Sequence, residues 1–112
     1  MIDAAPNPPL ERAADGYVVL TSKPGIYRSE PPSGASVVET YDYAFYGKPT
    51  AVFQIVRLAA DARVRIVEEA PPHTVNVVPV RVMERYALLE DARRALGDLV
   101  TFGTLQATLI KR

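Results

Sequence analysis

The chain has 112 residues, nearly half of them apolar, enough for one domain with a single core of modest size. Thirteen basic and thirteen acidic side chains cancel, and the balance is local: residues 1–60 carry six acids against five bases, and residues 61–112 carry seven against eight. That evenness argues against nucleic-acid binding, which ordinarily shows a basic excess, and the absence of cysteine excludes disulfides, thiolate metal sites and cysteine nucleophiles.

Residues 1–9 hold prolines and small residues, the composition of an extended or disordered tail, and residues 10–112 read as one α+β domain. The tail has neither a basic segment nor an apolar run of the kind that makes a signal peptide, and no apolar stretch is long enough to cross a bilayer. The expectation is a cytoplasmic protein without membrane contact. Tyr17 to Thr21 is a short strand, closed by Lys23-Pro24-Gly25, where proline presets φ and glycine takes the positive φ of a type II turn. Ile26 to Glu30 then leads into a Pro31-Pro32-Ser33-Gly34 loop.

Val37 to Leu58 reads as a β-hairpin. With Gly47-Lys48-Pro49 as its turn and Tyr46 opposite Ala51, one face takes Tyr41, Tyr43, Phe45, Val52, Val56 and Leu58. The other takes Thr40, Asp42, Tyr46, Phe53, Ile55 and Arg57. A sheet apolar on both sides needs cover on both sides. Arg63 to Glu69 alternates strictly, with Val64 and Ile66 on one side and Arg63, Arg65 and Glu69 on the other, and is expected as the third strand of a meander. Prolines keep Ala70 to Pro79 out of helix and out of any central strand, leaving at most an edge.

The period then changes. Pro79 starts a short helical turn near Val80 to Tyr86, and Leu88 to Val100 forms the main helix, with Leu89, Ala92, Leu96, Leu99 and Val100 on one stripe. Glu90 and Asp91 sit in its first turn, as the helix dipole favours. Phe102-Gly103 ends the element, and Thr104 to Ile110 alternates as a returning strand. The predicted order is β-β-β-β-α-β: an antiparallel meander with the helix on one face. That helix covers one side only, which leaves Tyr46, Phe53, Ile55, Arg57 and Val67 as interface candidates on the other.

No catalytic set can be assembled. His73 is the single histidine, and Glu68 and Glu69 beside it point to opposite faces of a strand, so no metal site and no cofactor are expected. Lys23-Pro24-Gly25 lacks the further glycines and the helix of a phosphate loop. The sequence therefore points to a small non-catalytic accessory subunit that works through sheet-face protein contacts, either with a second copy or with a larger enzyme. The alternative is a small-molecule-binding protein or cofactor-independent enzyme, with Arg28, Glu39, Tyr41, Tyr43 and His73 around a pocket between sheet and helix.

Overall fold

A computed structural model describes residues 12–59, 62–100 and 107–112. Its elements in chain order are β1 (Arg12–Ser22), β2 (Tyr27–Glu30), β3 (Ser36–Phe45), β4 (Lys48–Arg57), β5 (Arg63–Glu68) and β6 (Val75–Pro79). A single 3-10 turn (Val80–Val82), β7 (Tyr86–Leu88), α1 (Leu89–Val100) and β8 (Ala107–Lys111) follow. The class is α+β, with antiparallel sheets and a C-terminal helix, as the sequence pattern predicts. The N-terminal tail and the Phe102-Gly103 stop lie outside the described residues.

The strands form two sheets where the sequence suggests one meander. A five-stranded sheet runs β7-β1-β4-β3-β8, and a three-stranded sheet runs β2-β5-β6. β5 does not follow the hairpin into its sheet; it pairs with β2 on one side (Ser29 opposite Ile66) and β6 on the other (Val64 opposite Val78). The proline-flanked Val75–Pro79 segment is a full edge strand, compatible with Pro79 because it sits at the strand's end. The Pro24-Gly25 turn forms as expected, with Gly25 at φ 84° and the Ile26 N–H donating to the Lys23 carbonyl. It carries the chain from the first sheet to the second. Ser29 stitches the crossing: its hydroxyl donates to the Thr21 carbonyl, and its N–H donates to the Ser22 hydroxyl.

The hairpin corrects the predicted face assignment. Its turn is the pair Tyr46-Gly47, at φ 50° and 79°, which places Phe45 opposite Lys48. Two successive positive φ angles make a type I′ turn, whose twist matches the strands. Extended unbroken, that register would set Tyr41 opposite Val52. A bulge at Thr50 intervenes, so Tyr43 lies opposite Ala51, Tyr41 opposite Phe53 and Glu39 opposite Ile55. A one-residue slip moves every side chain to the other face. Phe53 and Ile55 therefore share a face with Tyr41 and Tyr43, and the Tyr43 and Phe53 rings meet edge-on at 5.9 Å.

Each side of the large sheet has its own core. On one side Tyr17, Ala51, Phe53 and Ile55 pack under Leu89, Ala92 and Leu96 of α1. On the other, Val18, Leu20, Val56 and Leu58 pack against Val64 of the small sheet and Val80 of the 3-10 turn. The helix stripe is buried as predicted at Leu89, Ala92 and Leu96, and half-buried at Val100. Leu99, at the margin of the stripe, is exposed.

Candidate functional site

Between α1 and the large sheet lies the principal charged cluster among the described residues. The Glu39 side chain is only 4% exposed, and a bulge just before it in β3, between Val37 and Glu39, turns it onto the helix side. Tyr41, two residues on and therefore on the same face, donates its hydroxyl to Glu39 Oε1 at 2.6 Å. Arg93 on the helix grips both carboxylate oxygens, its Nε donating at 3.1 and 3.0 Å and its second terminal nitrogen donating to Oε2. Lys111 of β8 adds a donor at 3.3 Å.

Arg93 hydrogen bonding, opposed by burial and helped by Tyr41 and Lys111, lowers the Glu39 pKa from 4.5 to about 2. Burial and the neighbouring carboxylate push the Tyr41 phenol up. The carboxylate is thus held ionised and fully used by its donors, which describes a tie joining helix, hairpin and last strand and leaves no free acid or base.

The five residues expected to line one pocket are not brought together. Glu39 and Tyr41 touch, and Tyr43 stands on their face against Phe53. Arg28 belongs to the small sheet, on the side turned away from the large one, where it pairs with Glu30 at 3.2 Å and Glu69 at 3.7 Å beside an Arg65–Glu30 pair. His73 is exposed in the loop after the cis Pro71–Pro72 bond, its Nδ1 3.1 Å from the Glu68 carbonyl oxygen. Separation into two sheets accounts for this, since Arg28 and His73 travel with β2, β5 and β6.

Among the interface candidates, Phe53 (5% exposed), Ile55 (0%) and Val67 (5%) are buried within the chain, correcting the expectation that they stand on an open face. The Thr50 bulge accounts for the first two. Val67 is flanked across its ladder by Arg28 and Val75. Tyr46 is exposed at the hairpin tip, edge-on to Phe45 at 4.5 Å, and Arg57 is half-exposed at the end of β4.

Open surface lies elsewhere, on the half of the large sheet that the small sheet does not reach. Along each row on that face, side chains become more exposed away from β1. Val18 and Val56 are fully buried, whereas Val37 beside them is 42% exposed. In the row Ser22, Val52, Asp42 and Ile110, the last is 53% exposed. Arg112 pairs with Asp42 at 2.7 Å on this face, which lowers the Asp42 pKa.

A second open feature is a trough on the inner face of the small sheet, whose inner end reaches β1 of the large sheet. One cavity of about 200 Å³ is lined by Leu20, Val64, Val78 and Met83, and an adjoining one of about 390 Å³ by Ile26, Glu68, Ala70 and Asn76; Tyr27 and Ile66 wall both. Neither feature was legible from the sequence, because both depend on β5 leaving the hairpin's sheet.

Among the described residues no three histidine, aspartate or glutamate side chains converge as a metal site would require, and no helix is long and apolar enough to cross a membrane. The chain matches no family model, and comparisons with curated proteins and with solved structures find no match.

Proposed function

We propose that the protein is a small non-catalytic interaction subunit that binds a second copy of its own chain through the bare half of the large sheet. The observation that carries this reading is the exposure of Val37 and Ile110, with half-buried Val52 on the same face, where the small sheet stops. Apolar Val37, Val52 and Ile110 interspersed with polar Thr40, Gln54 and Asp42 give the mixed composition of a non-obligate protein interface. The same face holds one acid and one base, Asp42 and Arg112. A two-fold axis would set each copy's acid near the other's base, so self-association meets no net charge repulsion.

The three strands involved, at roughly 5 Å spacing and 3.4 Å rise over about six residues, give a footprint near 14 by 20 Å. That lies below the 1,200–2,000 Å² of a standard interface, so the association belongs at the weak end of the scale. Light scattering on the purified chain up to about 0.5 mM, a concentration suited to such weak affinity, should show a monomer–dimer equilibrium. Ile110→Asp and Val37→Asp should abolish it with an unchanged circular dichroism spectrum. A wild-type chain that stays monomeric over that range refutes the reading.

A further inference from the structure

We infer that the trough on the inner face of the small sheet is a binding site for a small organic cation with an apolar body, of the alkylammonium class. Its larger cavity, about 390 Å³, falls within the range of small-molecule sites. The floor is apolar: Ile66 is half-buried, and Ile26 is 63% exposed at the mouth, an aliphatic side chain that a bound apolar group would cover. The charged group stands at one end only, since the polar residues of the inner cavity are the neutral Thr21 and Ser29, the Ser29 hydroxyl being taken up by the Thr21 carbonyl. Glu68 and Asn76 line the outer cavity, and beyond Tyr27 and Ile66 the inner one continues between Leu20, Val64, Val78 and Met83. A ligand with one charged end and one apolar end matches that asymmetry.

The sign of the charge follows from Glu68. The other two glutamates of this small sheet and its border, Glu30 and Glu69, are engaged by Arg28 and Arg65 on the opposite side. Glu68 has no ion-pair partner among the described residues. It is also the direct cross-strand neighbour of Tyr27, so a carboxylate and an aromatic ring stand side by side at the trough. An ammonium group is attracted by the first through charge and by the second through the ring's negative face, whereas an anion would be repelled by Glu68. Asn76, opposite Ile66 on the neighbouring strand, supplies an amide within the same wall.

The test is amide chemical-shift mapping on the full chain, with hexylammonium as probe and hexanol and hexanoate as neutral and anionic chains of the same length. Hexylammonium should shift residues 26, 27, 66, 68 and 76 in a saturable way. Hexanol should bind at the same residues about three- to fivefold more weakly, the ratio set by one partly solvated charge pair. Hexanoate should be weaker still. Glu68→Gln should bring hexylammonium down to the affinity of hexanol, and Ile26→Ser should weaken all three probes. Both positions are exposed, and an otherwise unchanged amide spectrum verifies that each variant is folded. The inference is overturned if hexylammonium leaves these residues unshifted, if hexanoate binds as well, or if Glu68→Gln leaves the affinity unchanged. Monomeric behaviour in light scattering would leave it standing, since the trough shares no lining residue with the proposed dimer face.

Discussion

Replacing Glu39 by glutamine isolates the charge that ties α1 to the sheet while keeping a side chain of the same shape. The carboxyl titrates at about 2 in the fold against 4.5 as its ordinary value, and at about 1.4 kcal/mol per unit such a difference sets a ceiling of roughly 3–4 kcal/mol. Arg93 and Lys111 approach from solvent, with side chains 44% and 56% exposed, so screening reduces the expected contribution to about 1–2 kcal/mol. Because the folded pKa is the depressed one, this stability is fully present above about pH 4.5 and is lost as the pH falls toward about 2.

Urea melts of wild type and Glu39→Gln at pH 7, 4 and 2.5 provide the assay. The variant should be less stable by about 1–2 kcal/mol at pH 7, and the gap should narrow through pH 4 and nearly close at pH 2.5. Arg93→Met should show the same trend, and the double variant should fall short of additivity because the two groups act on each other. A gap independent of pH would refute the reasoning, since the loss would then come from packing and not from charge.

Leu96, 2% exposed at the centre of the helix-side core, should lose about 2–5 kcal/mol on Leu96→Ala in a denaturant melt; a loss below about 1 kcal/mol would mean that the helix stripe contributes little. Gly16 and Gly47 both hold positive φ, but a Cβ on Gly16 would lie 3.1 Å from the Tyr86 carbonyl oxygen whereas one on Gly47 would meet nothing within 4 Å. Gly47→Ala should therefore cost about 1 kcal/mol from backbone strain alone, and Gly16→Ala should cost distinctly more; equal melting shifts would show that the β1–β7 contact yields freely.

Local structure was legible wherever one segment's own chemistry decides it. Pro24-Gly25 dictates its turn through two residues' φ preferences, the alternation of Val64 and Ile66 marks the side of β5 that packs toward the large sheet, and the three- and four-residue spacing of Leu89, Ala92 and Leu96 marks the buried side of α1. Glu39 and Tyr41 could be placed on a common strand face, but their donors Arg93 and Lys111 lie 54 and 72 residues from Glu39 along the chain, and no spacing rule reaches that far. The tertiary structure alone decided that β5 joins β2 and β6, because an alternating strand can satisfy its ladder with any compatible neighbour. It also decided the bulge at Thr50, whose hydroxyl donates to the Tyr43 carbonyl at 3.3 Å. One inserted residue there inverts the pleat, which puts Phe53 and Ile55 beneath the helix and turns Val56 and Leu58 toward the small sheet.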